Sequence, residues 1–341
     1  MGHSDTTGSN KTEMRSGTMR FSLTSKISVV WMFVTICCCS VAASNAKTRA
    51  TSALASNFET VFYSDAGLFS GSGAYKNLPK QSSDSLRVPF ASLLAAVESL
   101  PRNSSREMLS DAGSVLVGAR DFRAPAGLGG VRSQFCYVII LRPGTTFELE
   151  KYLAGLSKTV AGGVQVWNWS AELGEFGEND RRPSSLYVAQ VGELYILISN
   201  NMEGLRTTYS QLRSPQEGLS KPVSSGWEFV GEREYWGYRR YRHEKITDKE
   251  ASGITDITSS AQVLLFSVDF QKDFGVLRLL ASDSTAAEKL NAATANSKGA
   301  LPVLRKTTHG AWEAKVGLLG DQKSADQMFE LMSLFGFGIY L

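Results

Sequence analysis

The chain has 341 residues, of which 43% are hydrophobic and 20% charged, and its formal net charge is +3. This length and composition are typical of a globular chain that folds around its own core. A charge so near neutrality provides no general field for nucleic acid or for an anionic membrane. Nucleic acid is therefore excluded as an expected partner, and a membrane is expected only through the N-terminal segment.

The first 46 residues have the order of a secretory signal. An apolar run, residues 27–43, follows four basic residues and precedes a short stretch of small and polar residues. The run has 17 residues, slightly fewer than the roughly 20 that a helix needs to cross a bilayer. We therefore predict cleavage after Ala43 or Ala46, with an uncleaved N-terminal anchor as the alternative. The rest of the chain is expected in a periplasm or outside the cell.

Three of the four cysteines lie within this apolar run, so cleavage would leave only Cys136. A single cysteine cannot form an intrachain disulfide, and stability must come from the core. Cys136 lies in QFCYVIIL, residues 134–141, where a free thiol behaves as a small hydrophobic group. This segment predicts a central strand, and no neighbouring residue would activate Cys136 as a nucleophile.

Composition divides the rest of the chain into four parts. Residues 47–85 are rich in Ser, Ala and Gly, which predicts a flexible lead segment. Residues 86–213 alternate helical and strand patterns and form a first α+β region. Residues 214–226 contain two Pro, two Gly and four Ser, which favours a linker. Residues 227–341 form a second α+β region, either separate from the first or continuous with it.

Three segments show the same order, in which two strands around a turn are followed by a helix. The segments begin at Ser185, Ala261 and Pro302. Each hairpin passes into its helix through Asn, Asp or Ser, whose side chains accept N–H groups at a helix start. The pattern predicts an α+β fold, with a largely antiparallel sheet of repeated hairpin-helix units and the helices near Gly204, Ala287 and Met328 on one face.

The chain ends on an apolar tail, residues 334–341, with the sequence LFGFGIYL. A tail of this composition is normally packed into a core, and we expect it to be docked. An exposed tail would instead be a contact for a partner or a membrane.

The segment Glu232–Lys245, EREYWGYRRYRHEK, is the strongest candidate for a binding site. As a strand it has no plainly apolar face, which indicates an exposed or edge strand with arginines lying over aromatic rings. Alternatively, it is a ligand surface, in which rings stack and arginines bind carboxylate, sulfate or phosphate groups. An anionic or carbohydrate ligand, or a protein partner, would then contact Trp236, Tyr238, Arg239, Arg240, Tyr241, Arg242 and His243.

Catalytic patterns are weak. Acidic residues gather near Trp167 and Trp169, where a pair of carboxylates could resemble a glycosidase site, but glycines and a proline indicate a loop. These acidic residues are Glu172, Glu175, Glu178 and Asp180. His309 precedes Gly310 between two strands, which is typical of a turn. No catalytic residue, metal site or cofactor is predicted.

These observations favour an exported, non-catalytic binding or structural protein of the cell envelope or extracellular space. The alternative is a hydrolase acting on carbohydrate or another envelope polymer, with carboxylates as acid and base.

Overall fold

The computed structural model describes residues 44–100, 108–123, 131–174, 181–214, 233–241, 261–295, 301–318 and 322–335. All of them belong to one compact unit, Ser44–Leu341. Within these ranges, no helix has the length and apolar composition needed to cross a bilayer. The apolar run 27–43 and the predicted linker after Ser214 lie outside the described residues.

Twelve strands form one sheet in which every neighbouring pair is antiparallel. The strands are β1 Thr60–Asp65, β2 Ala112–Arg123, β3 Val131–Leu141, β4 Ser157–Ala161, β5 Val164–Gly174, β6 Arg181–Val191, β7 Tyr195–Ser199, β8 Tyr235–Arg240, β9 Ala261–Asp269, β10 Phe274–Ala281, β11 Arg305–Lys306 and β12 Trp312–Gly317. Their spatial order is β11-β12-β10-β9-β8-β1-β2-β3-β7-β6-β5-β4. The α+β class with a large antiparallel sheet is as predicted.

The helices that accompany the sheet in the described ranges include eight α-helices. They are α1 at 44–57, α2 Gly67–Ser70, α3 Lys80–Arg87, α4 Ala91–Glu98, α5 Leu149–Tyr152, α6 Met202–Arg213, α7 Thr285–Ala295 and α8 Gln322–Leu334. The start of α6 has the predicted cap, because the Asn201 side chain accepts the Gly204 N–H at 2.8 Å. The carboxylate of Asp283 accepts the Thr285 N–H at the start of α7 in a similar way.

The sheet is covered on both faces, by different helices. Phe62 of β1 belongs to a core cluster that includes residues of α3, α4, α7 and α8, and this side is called the α8 face. Its neighbours Val61 and Tyr63 pack with residues of α1 and α6, and this side is called the α1 face. The helix at Gly204 therefore lies opposite those at Ala287 and Met328, and the prediction of one helical face is wrong.

The physical reason is found in the central strands. In β3, Tyr137 and Ile139 belong to the core of the α8 face, whereas Cys136 and Val138 belong to the core of the α1 face. Successive side chains of a strand point to opposite faces. A strand that is apolar at consecutive positions therefore needs cover on both sides, and helices on one face could not supply it.

Residues 47–85 do not form a flexible lead. They contain most of α1, all of β1, α2 and most of α3, and β1 lies in the middle of the sheet between β8 and β2. The small residues that suggested flexibility include Ala50 and Ala53, which are buried where α1 packs against the α1 face. Alanine favours helix and allows close packing, so an Ala-rich segment is compatible with a docked helix.

The two predicted α+β regions contribute to the same sheet, because β1 pairs with β2 of the first region on one side and with β8 of the second region on the other. The first residues of the C-terminal tail are docked, as predicted. Leu334 and Phe335 are buried, the Phe335 ring meets Phe62 edge-on at 5.0 Å, and the Phe335 carbonyl accepts the Thr60 hydroxyl at 3.1 Å. Residues 336–341 lie outside the described ranges.

Candidate functional site

The aromatic residues of the predicted binding segment are part of the core. Trp236, Tyr238 and Tyr241 are at most 9% exposed, and Trp236 stacks on Tyr63 with ring centroids 5.6 Å apart. The strand that carries them, β8, lies between β1 and β9, so the expectation of an exposed or edge strand is wrong. These rings form no open surface on which a ligand could stack.

Two arginines of this segment, Arg239 and Arg240, lie at the border of the core. Arg239 donates from Nη1 to the Leu334 carbonyl at 2.9 Å, and its guanidinium lies 5.5 Å from the Tyr241 ring centroid. Arg240 lies on the face of β8 opposite to Arg239, which is the face that Tyr238 occupies two residues earlier. Its Nε and the Tyr238 hydroxyl are both buried without a hydrogen-bond partner in the described part of the chain.

The environment of Tyr238 reflects this burial. Burial raises the pKa of Tyr238 to about 12, while the charge of Arg240 acts in the opposite direction. Tyr238 and Arg240 thus keep unsatisfied polar atoms inside the predicted segment. Arg242 and His243 lie outside the described residues.

The pair of carboxylates that the hydrolase alternative would require is not assembled by the described residues. Glu172 lies within β5, opposite Pro183 of β6, and the other three acidic residues fall outside the described ranges. Trp167 and Trp169 are 6% and 7% exposed, and Trp169 donates from Nε1 to the Ser99 hydroxyl at 3.0 Å. Their rings are therefore packed against the protein and are not available as a sugar platform.

Cys136 and His309 occupy the positions predicted for them. Cys136 is fully buried in β3, and burial raises the pKa of its thiol to about 12, which opposes thiolate formation. His309 lies in the turn between β11 and β12. Among the described residues there is no group of three or more His, Cys, Asp or Glu side chains that could hold a metal ion.

A cluster of charged side chains lies near the start of β8 and the end of β9. Lys47 of α1 donates to the Arg233 carbonyl at 3.0 Å and lies 3.8 Å from the Tyr63 ring centroid. Asp269, at the end of β9, binds the side chains of Arg233 and Lys272, each at 3.2 Å. These contacts attach α1 to the start of β8 and β8 to the end of β9. The cluster thus has a structural role between neighbouring elements.

An open groove, which the sequence patterns did not indicate, lies between α6 and the turn that joins β4 to β5. Its volume is about 570 Å³. Most of its lining is polar or charged. The lining residues are Gly162, Gly163, Val164, Glu203, Arg206, Thr207, Tyr209, Ser210, Arg213 and Ser214.

The turn at one wall of the groove depends on its two glycines. Gly162 and Gly163 have φ values of +62° and +79°, the left-handed conformation that a tight two-residue hairpin turn requires. A Cβ atom placed on Gly162 would lie 2.9 Å from Cζ and 3.0 Å from Nε of Arg206, whereas one on Gly163 would meet nothing within 4 Å. The absence of a side chain at position 162 lets the Arg206 guanidinium rest on the turn.

The charges of the groove come from α6. Arg206 and Arg213 make no hydrogen bond or ion pair with another described residue, and Glu203 is the acidic residue of the lining. The sequence contains the signals for each part, since Gly-Gly between two strands is typical of a hairpin turn and both arginines lie on the polar side of an amphipathic helix. Their proximity arises only when α6 packs on the α1 face.

Comparison with known proteins identifies no family. No family model matches the chain. No curated protein matches it either. It is similar to solved structures of TP0453. Crystal form IV has a TM-score of 0.40 and 8% sequence identity, and crystal form I has a TM-score of 0.40 and 9% sequence identity. Each match covers 83% of this chain and 96% of the TP0453 chain. Crystal form III has a TM-score of 0.38 and 9% sequence identity, and the match covers 83% of this chain and 97% of the TP0453 chain.

Proposed function

We propose that this chain is an exported protein that acts by binding and not by catalysis, in a periplasm, a cell envelope or the extracellular space. The observation that carries the export proposal is that the compact unit begins at a predicted cleavage position. The compact unit begins at Ser44, directly after the apolar run 27–43 and at one of the two predicted cleavage positions. Cleavage after Ala43 would leave the compact unit whole.

The contacts at the start of α1 favour Ala43 over Ala46 as the cleavage position. Ala46 is buried at 4% exposure, and its carbonyl accepts the hydroxyl of Tyr195 at 3.4 Å. Cleavage after Ala46 would remove the first three residues of α1, together with these contacts. Small residues are required at the cleavage position, and Ala43 satisfies this requirement.

The groove beside α6 supports a binding role. Its side chains project from a helix that is capped at its start and packed on the sheet, and its other wall is a tight turn. Sites on regular elements hold their side chains more firmly than sites on loops, which reduces the entropy lost on binding. The hydrolase alternative gains no such support, because the rings proposed as its sugar platform are buried.

Fractionation of the native cell, with mass measurement of the mature N-terminus, tests export. We expect a chain that begins at Ser44 and is recovered outside the cytosol. Replacing Ala43 by a large residue, Ala43→Leu, should block processing and leave residues 27–43 attached. A wild-type chain found in the cytosol with its full N-terminal mass would contradict the proposal. A chain that keeps residues 27–43 in the membrane pellet would support the anchored alternative.

A further inference from the structure

The geometry points to a binding site for an elongated anion in the groove between α6 and the β4–β5 turn. The ligand class is a small, extended molecule with at least two anionic groups, such as a short chain of phosphates. This inference rests on the proposed function, in that it takes the same groove as the binding site. It is carried by the positions of Arg206 and Arg213 and by the contact of Arg206 with Gly162.

Arg206 lies against the β4–β5 turn. Its guanidinium lies against the backbone of Gly162, so close that no side chain would fit at that position. The side chain makes no hydrogen bond or ion pair with a described residue that would occupy its donors. An arginine whose donors are not bound to other described residues can bind an oxyanion through two parallel N–H groups.

The second arginine sets the length of the ligand. Arg213 follows Arg206 by seven residues, which corresponds to two turns of helix and about 10 Å along its axis. A single phosphate or carboxylate is too short to be centred on both positions while Arg206 stays on the turn. A molecule with anionic groups at both ends can engage both arginines.

The rest of the lining indicates where the ligand would lie. Ser210, between the two arginines in the sequence, and Ser214 present hydroxyl groups that can donate to further oxygens. Glu203 carries a negative charge, like the proposed ligand, and lies one turn before Arg206. An anion would therefore lie from Arg206 towards Arg213 and away from Glu203, because like charges repel.

Titration of the purified mature chain with inorganic tripolyphosphate and with orthophosphate, at equal ionic strength, tests this inference. Backbone amide signals in NMR report both the affinity and the location of binding. We expect saturable shifts at Gly162, Gly163 and α6, with tripolyphosphate bound at least 10-fold more tightly than orthophosphate. Arg213→Gln should remove this preference, because one end of the longer anion loses its partner. Arg206→Gln should weaken the binding of both anions.

Two glycine variants separate the contact with Arg206 from backbone strain. Gly162→Ala and Gly163→Ala both place alanine at a positive φ, but only the former displaces the Arg206 guanidinium. Gly162→Ala should therefore weaken tripolyphosphate binding several-fold more than Gly163→Ala does. Arg305→Gln, at an exposed arginine in β11 at the other end of the sheet, should leave the affinity unchanged.

Several results would overturn the inference. These are shifts that chloride reproduces at the same ionic strength, equal affinity for the two phosphates, or undiminished binding by Arg206→Gln. Binding by the purified chain does not depend on where the cell places it. A cytosolic, unprocessed chain would thus contradict the proposed export without affecting the anion site, and an exported chain that ignores both anions would contradict only the anion site.

Discussion

At the scale of single residues, Asp65 shows how position alters chemistry. It ends β1 and accepts the Gly67 N–H at 2.8 Å. Its pKa is raised to about 6, chiefly by burial and also by the charge of Glu234, whereas the Gly67 N–H and Lys47 act in the opposite direction. The folded state therefore holds the Asp65 proton more tightly than the unfolded chain, whose aspartates titrate near 4.

This shift predicts a pH-dependent effect of Asp65→Asn. The wild type should lose stability as the pH rises from about 4 to about 6, because the folded state binds more protons than the unfolded state in that window. Asparagine carries no charge and can still accept the Gly67 N–H. We expect the variant to be more stable than the wild type by about 1 kcal/mol above pH 7, after allowance for solvent screening, with no gain below pH 4.

Urea denaturation at pH 4, 5, 6 and 8 measures this difference in the free energy of unfolding. Asp84→Asn serves as the control, because it removes a carboxylate that is half exposed on α3. That variant loses only a surface ion pair with Arg87 and should change the free energy of unfolding at pH 8 by less than about 0.5 kcal/mol. A constant difference between Asp65→Asn and the wild type from pH 4 to pH 8 would disprove the argument from burial.

At the scale of elements, β8 is a central strand although its sequence is rich in charged and polar aromatic residues. Alternate side chains separate into the two cores, with Tyr235 on the α8 face and Trp236 on the α1 face. Gly237 makes this packing possible, because a Cβ atom there would lie 2.5 Å or less from the Phe62 ring. The arginines follow at the end of the strand, where they reach the border of the core.

The burial of Trp236 predicts a large loss of stability on truncation. Trp236→Ala should lower the free energy of unfolding by about 3 to 5 kcal/mol, because it removes a fully buried ring and leaves a cavity. Urea denaturation gives the value directly. Val160→Ala, at an edge-strand valine that is 71% exposed, is the control and should change stability by less than about 0.5 kcal/mol. A Trp236→Ala variant as stable as this control would contradict the burial of Trp236 and indicate that β8 is exposed.

At the scale of the whole molecule, both ends of the described chain dock on the middle of the sheet. Helix α1 covers the α1 face with Ala50 and Leu54, both fully buried. The end of α8 reaches the opposite face, where Arg239 and Thr60 hold its last carbonyls. The middle strands β1 and β8 are thus stabilised by segments that are far apart in the sequence.

Removal of α1 should therefore disrupt more than the N-terminus. A chain that begins at Phe58 should expose the α1 face, bind the dye ANS and lose cooperative unfolding in urea, whereas a chain that begins at Ser44 should do neither. Leu54→Ala gives a milder change, with an expected loss of about 2 to 5 kcal/mol. A chain without α1 that unfolds at the same urea concentration as the Ser44 chain would show that the helix is dispensable.

The sequence alone determined the features that depend on neighbouring residues. The strand at Cys136, the turn at His309 and the cap at Asn201 all follow from local patterns of apolar residues and turn or cap chemistry. The antiparallel sheet follows from the same patterns, since short turns between strands allow only that pairing.

The tertiary structure decided what depends on distant residues. The Ala-rich start became a buried helix because the sheet offers an apolar face at Leu116 and Val138, which no local pattern reveals. The aromatic strand β8 became central because β1 and β9 pair with it on either side. The groove exists because α6 brings Arg206 against Gly162, 44 residues earlier in the chain. Contacts of this range arise only when the whole core forms, since each helix and strand is stabilised by packing more than by its own propensity.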